Sequence, residues 1–178
     1  YPGSEITPEK TPDLAKAAAV TLDRRGTGGC GWSYAWKIGA RARLYDGEKA
    51  LEQLRALLTK SSLTNLFSLC SRAMQVDTNL GATGAIAEML LQSHQEAIRL
   101  LPALPTEWQE GSVTGLRARG GFEVDLAWSK GLPVRAVIRA HVTAPCRVRV
   151  AGNVRVLADG KAVRTTRRAQ SRLLPQSD

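Results

Sequence analysis

The spacing of apolar residues changes period once along this chain, near "LLPALPTEW", residues 100–108. Upstream, apolar side chains recur at helical spacing, and downstream they alternate in twos. A chain that switches once has to be α+β, with helices and strands segregated along the sequence. The two prolines of that segment end a helical pattern and place the boundary there. The expectation is a helical unit over residues 1–103 and a small antiparallel β unit, sandwich-like, over residues 104–178.

The upstream half predicts four helices. "TPDLAKAAAVTLDRR" offers Thr11 as N-cap, Pro12 at the first helical position and Asp13 in the first turn. The glycine cluster from Gly26 to Gly31 reads as an interhelical turn. It lacks the lysine and the preceding strand of a phosphate loop. "WSYAWKIGARARL" and "YDGEKALEQLRALLTK" then read as an antiparallel helical hairpin with Asp46 capping the second helix. "ATGAIAEMLLQSH" supplies the fourth helix, its glycines and alanines allowing close packing. Beyond the prolines, "GSVTGLRARG", "GFEVDLAWS", "PVRAVIRAHV", "CRVRVAG", "NVRVLAD" and "KAVRTTRR" read as short strands, with "ADGKA" as a hairpin turn.

Charge excludes less than its total suggests. The formal net charge is +9, but acids and bases are intermixed to about residue 110, whereas Arg135 to Arg172 is arginine-rich with a single acid, Asp159. "CRVRVAGNVRVL" alternates basic and aliphatic residues, as a strand with one solvated and one buried face does. No aromatic is interleaved with these arginines as base stacking favours, so no nucleic-acid partner is expected. No apolar run approaches the ~20 residues of a membrane helix, and no membrane partner is expected. The opening "YPGSEITPEK" is not a signal peptide and carries no initiating methionine, which suits a mature product or a piece of something longer.

Chemistry-bearing residues are few. Cys30, Cys70 and Cys146 are widely spaced, with no CxxC and no histidine pair, so neither a metal site nor a disulfide framework is indicated. A lone buried thiol is the expectation for each, one disulfide being open to an oxidising compartment. No cofactor is indicated. His94, at the expected end of the fourth helix, and His141, in a strand, have no serine or cysteine motif around them. Glu88, about three turns from Asp77, reads equally as a solvated or capping acid and as a catalytic partner. Asp77 and Asn79, two residues apart in "QVDTNLGATG" ahead of the fourth helix, read as loop-stabilising or capping groups, with catalysis as the alternative. Trp32 and Trp36, one helical turn apart, read as packing residues or as the wall of a sugar pocket. Arg24 and Arg25 read as exposed, and Arg117 and Arg119 as braces at the junction of the two units.

Five motifs carry a resemblance: "GWSYAWK" (31–37), "QVDTNLG" (75–81), "EMLLQSH" (88–94), "LLPALP" (100–105) and "GLRARGG" (115–121). In order and spacing they resemble the C-terminal part of glycoside hydrolase family 95, the inverting 1,2-α-L-fucosidases. The resemblance covers about residues 1 to 130, and the basic stretch after about 150 carries no motif of it. It implies that the helices are the last of an (α/α)6 barrel and that the strands form the C-terminal β domain. An inverting glycosidase needs an acid for the leaving oxygen and a base system for water. The family aspartate that acts with asparagines to activate water corresponds to Asp77, and the general-acid glutamate and those asparagines lie upstream of the matched region.

The resemblance also implies a fucosylated glycan as substrate, with Trp32, Trp36 and Asn79 as substrate-binding residues. A secreted or periplasmic location and a partner in the missing N-terminal part, or in another chain, follow from it as well. The chain departs from the family at Thr78, where glycine is usual, at Leu80 for phenylalanine and at Cys30 for threonine. "CSRAMQVD" also lacks the family's His-Pro-Pro-Phe-Gln. The alternative is a non-catalytic accessory or carbohydrate-binding module.

Overall fold

The computed structural model describes residues 2–152, 154–158, 160–163 and 165. The Asp159 of the expected "ADGKA" turn and all of "KAVRTTRR" beyond Val163 except Thr165 lie outside the described residues. Four helices come first: α1 (Pro12–Arg25), α2 (Trp32–Arg43), α3 (Gly47–Lys60) and α4 (Val76–Leu90), with the short hairpin β1 (Leu69–Cys70) and β2 (Ala73–Met74) between the last two. Strands β3 (Leu91–Gln95), β4 (Ala97–Leu100), β5 (Gly111–Ala118), β6 (Phe122–Ser129), β7 (Leu132–Ala140), β8 (Val148–Arg149), β9 (Leu157–Ala158) and β10 (Lys161–Ala162) follow. The α+β expectation holds.

α1 starts as its sequence indicates, with Thr11 at the N-cap and Pro12 behind it. The Thr11 hydroxyl does not cap, however; it takes the Thr7 N–H instead. The α2–α3 hairpin turns at Leu44–Asp46, and the Asp46 carboxylate accepts the Lys49 N–H at 3.2 Å. α2 lies between α3 and α4, and Tyr34, Ile38, Ala42, Leu51, Leu54, Leu57, Ala85 and Met89 form their common core.

The fourth helix departs from expectation at both ends. It starts at Val76, so "QVDTNLG" is its first two turns rather than a loop before it. It stops at Leu90, where helix was expected to run to His94, and Leu91–Gln95 turns back on Ala97–Leu100 as a hairpin with Glu96 at φ 51°. Periodicity misleads here because "MLLQSHQ" is short and apolar, and such runs fit a buried strand as well as a helix. His94 is therefore a strand residue.

In the β part, β5, β6 and β7 form the expected antiparallel meander, and β6 alternates buried and half-buried positions along its whole length. β3, β4 and β8 form a second sheet in which β8 runs parallel to β4. Ile98, Leu100, Phe122, Val124, Leu126 and Trp128 join the two sheets in one core. Trp108 packs against both this core and the helical one. "CRVRVAGNVRVL" does not form the half-buried strand expected: only Val148–Arg149 and Leu157–Ala158 are strand, and Val148, Val154, Val156 and Leu157 are exposed. Alternation needs a second layer to become burial, and among the described residues none covers these.

The lone-thiol expectation fails for two cysteines. Cys30 and Cys70 are joined in a disulfide, and Cys146 is free but exposed.

Candidate functional site

The site is built where the N-termini of α2 and α4 meet. Between α1 and α2 the glycine cluster turns back, and side chains from the next helices hold its carbonyls. Buried Lys37 donates to Gly26 O at 2.8 Å and Gly28 O at 2.5 Å, and Tyr34 Oη donates to Thr27 O at 2.9 Å. A phosphate-cradling loop presents its N–H groups to a ligand. Here the carbonyls face a lysine, and the turn is part of the scaffold.

Gly31 ends this cluster at φ 45°, a left-handed conformation that favours glycine, and a Cβ there would land on the Gln75 side chain. That closeness lets the Gln75 carbonyl accept the Trp32 N–H at 3.1 Å, tying the start of α2 to the start of α4. Gly81, further along α4, leaves room for the Trp32 ring, which would come within 2.5 Å of an added Cβ. The disulfide binds the same corner covalently, from Cys30 ahead of α2 to Cys70 in the hairpin ahead of α4.

Asn79 holds the other side. Its Oδ1 accepts the Ser68 N–H at 3.1 Å and the Ser68 hydroxyl at 2.9 Å, and its Nδ2 donates to Leu66 O at 2.7 Å. All of these partners belong to the segment that leads into α4. Thr78 is fully buried beneath them.

Asp77 differs from its neighbours. It sits in the first turn of α4, exposed, with no hydrogen bond or ion pair among the described residues. The capping reading is corrected: the N-cap position is Gln75, and the Asp77 side chain caps nothing. Residues two apart on a helix leave from different faces, so Asn79 reaches back to the loop while Asp77 stays clear of it. Its carboxylate therefore faces solvent. Such a group can accept a proton from water or orient it.

Trp32 is 43% exposed beside this corner, which is more than a packing residue needs. Trp36 is half-buried, with the exposed Arg25 guanidinium 5.7 Å from its ring. Arg24 is exposed as expected. Glu88 is not a solvated acid. It forms a two-pronged pair with the buried Arg43 guanidinium, Nε to Oε2 at 2.7 Å and Nη2 to Oε1 at 3.0 Å. Lys37, Gln75 and Ser68 had no sequence signal of their own, although the first two lie inside the quoted motifs. No cluster of potential metal ligands exists among the described residues.

Residues 1–90 match the model of the glycosyl hydrolase family 95 catalytic domain, and residues 92–176 match that of the glycoside hydrolase family 95 C-terminal domain. The second match runs through the basic stretch where the motifs stopped. "Alpha-L-fucosidase 2" of Arabidopsis thaliana is 42% identical over 74% of this chain and 17% of its own length. "Probable alpha-fucosidase A" of Aspergillus oryzae is 34% identical over 88% of the chain and 24% of its own length. Its namesake in Aspergillus niger is 30% identical over 72% of the chain and 19% of its own length. The chain thus spans less than a quarter of each of these relatives.

Proposed function

Because this chain belongs to glycoside hydrolase family 95, we propose that it is the C-terminal part of an inverting α-L-fucosidase acting on fucosylated glycans. A glycosidase family implies a carbohydrate substrate. On this reading α1 to α4 are the last helices of an (α/α)6 barrel, and the strands from β3 onward belong to the C-terminal β domain. The observation that carries the proposal is the division of labour in Gln75-x-Asp77-x-Asn79-x-Gly81. Gln75, Asn79 and Gly81 are used up in fixing the corner, and Asp77 alone keeps an unengaged carboxylate.

Inversion requires that water be activated on the face of the sugar opposite the leaving oxygen. Asp77 takes part in that activation by drawing on the water proton, with asparagines from the remainder of the enzyme holding the water in line. A glutamate from the same remainder protonates the leaving oxygen. Trp32 offers an exposed aromatic face to the apolar side of a pyranose, with Trp36 one turn further along α2. Asn79 serves substrate binding indirectly, by fixing the segment before α4. The Cys30–Cys70 disulfide favours an exported, secreted or periplasmic enzyme, since such bonds persist in oxidising compartments.

The test is an assay on 2-fucosylated lactose. The full-length protein is expected to release fucose, while residues 1–178 alone give no turnover above background, because the acid and the water-orienting asparagines are absent from them. Each such general acid–base contribution is worth ~10²–10⁴-fold. Comparable turnover by the 178-residue chain would overturn the reading.

A further inference from the structure

The hairpin between α3 and α4 is held by little burial. Of residues 62–74 only Ser68 is buried, and neither hydrophobic core takes a buried side chain from them. Its root is fixed by hydrogen bonds. Asn79 grips Ser68 and Leu66, the Leu69 N–H donates to Ser61 O at 2.7 Å, and the Gln75 N–H donates to Ser68 O at 2.9 Å. Beyond that root β1 and β2 pair with each other alone, Leu69 with Met74 and Cys70 with Ala73. A two-stranded ribbon this short is not stable by itself in water.

The tie from the tip of this hairpin to the scaffold is covalent. Among the described residues no backbone hydrogen bond joins 70–74 to the glycine turn or to α2, whereas Cys70 is bonded to Cys30. Cys30 stands two residues ahead of Trp32, whose N–H the Gln75 side chain accepts from the other end of the hairpin. The disulfide therefore sets where the hairpin meets the start of α2 and the exposed Trp32 ring. Both cysteines are half-buried, which leaves the bond open to a small thiol.

We propose that Cys30 and Cys70 are positioning residues for sugar binding: their disulfide seats the β1–β2 hairpin against the start of α2, and a dithiol reductant unseats it. The consequence for turnover rests on the fucosidase reading of the Asp77 corner, whereas the seating of the hairpin does not. A thiolate of the reductant attacks one cysteine sulfur and expels the other as a thiolate, which takes up a proton. The reductant's second thiol then closes on its own mixed disulfide and releases the second cysteine as a thiol. Two electrons and two protons pass from the dithiol, which becomes a disulfide, to Cys30 and Cys70. The helices stay folded, because their core holds no residue of the hairpin. A corner that is seated for only a fraction of the time binds with its dissociation constant divided by that fraction, while the bound state turns over as before. Reduction therefore acts on KM rather than on kcat.

The experiment compares the full-length enzyme before and after incubation with dithiothreitol, by hydrogen exchange and by kinetics on 2-fucosylated lactose. In the reduced protein the peptide over 69–75 is expected to exchange at least about ten-fold faster while α2, α3 and α4 keep their protection. KM is expected to rise about three- to ten-fold with kcat unchanged, and reoxidation to restore it. The double variant Cys30→Ser, Cys70→Ser should show the reduced values and ignore dithiothreitol, whereas Cys146→Ser, at the free cysteine, should respond as the parent does. Equal exchange of 69–75 in the two states overturns the proposal, as does an equal loss of protection in the helices or a KM that reduction leaves unmoved. A parent enzyme that releases no fucose overturns the fucosidase reading instead, and the exchange of 69–75 then decides whether the disulfide seats the hairpin.

Discussion

Lys37 shows how the buried charges of this chain are used at the scale of single residues. It is 2% exposed and faces carbonyls rather than an acid, and burial pushes its pKa down, with Arg25 adding to the shift. His94 is the residue with a readable consequence in pH. The groups facing it are Arg43 from α2, Glu88 from α4, Arg99 from β4 and Arg119 from the turn after β5. Its pKa of about 4 lies below the ordinary 6.5, so between those values the unfolded chain binds a proton that the folded chain does not. Stability therefore falls as pH drops from 6.5 towards 4, and His94→Gln removes that loss. Asp23, lowered by Lys49 and Arg41, and Asp125, lowered by the Gly115 N–H and Arg139, weaken folding only below 3.8. The two windows are separable. Melting curves between pH 7 and 4.5 should be flatter for His94→Gln than for the parent, and identical slopes would rule out His94 as the cause.

The contacts of the corner were only partly legible. Asn79 was singled out in the sequence, but its partners were not, because Ser68 and Leu66 meet it only once the hairpin has folded. Glu88 looked solvated because its partner, Arg43, lies 45 residues away on another helix.

Among elements, α4 carries the most. Its true start at Val76 puts a carboxylate in a first helical turn, and its end at Leu90 hands the chain to β3. The starts of α1 and α3 were readable from Pro12 and Asp46, since those signals are local. The limits of α4 were not, because Gly81 is tolerated inside the helix only by its packing on Trp32, a tertiary fact. The disulfide acts at this scale too, closing the chain across a sequence separation of 40 residues. Loop-closure entropy for that length gives about 4 kcal/mol. Cys30→Ser should lower the unfolding free energy of the full chain by about that amount in denaturant titration, and a change below about 1 kcal/mol would mean that the bond contributes little to stability. Paired cysteines are not legible from spacing, since Cys30 and Cys70 meet only through the α2–α4 packing.

For the whole molecule, the helical face around the Asp77 corner is unfinished. Leu66, Phe67, Met74, Val76 and Leu80 are all exposed near the start of α4, a grouping that isolated soluble domains rarely show. On the proposed reading, an (α/α)6 ring closed by further helices covers them, with Asp77 on the side where the acid and asparagines enter. That helices come before most strands was legible from the change of period at 100–108, but α4 ends at Leu90, where the two family matches also divide, because the β3–β4 hairpin precedes that change.

The central claim is that Asp77 works on water rather than on the fold. It is tested most directly by the steady-state kinetics of Asp77→Asn in the full-length enzyme on 2-fucosylated lactose. The account predicts a kcat lower by ~10²–10⁴-fold, with KM and the melting temperature little changed. A kcat within about two-fold of the parent, far less than a general-base contribution, would contradict it.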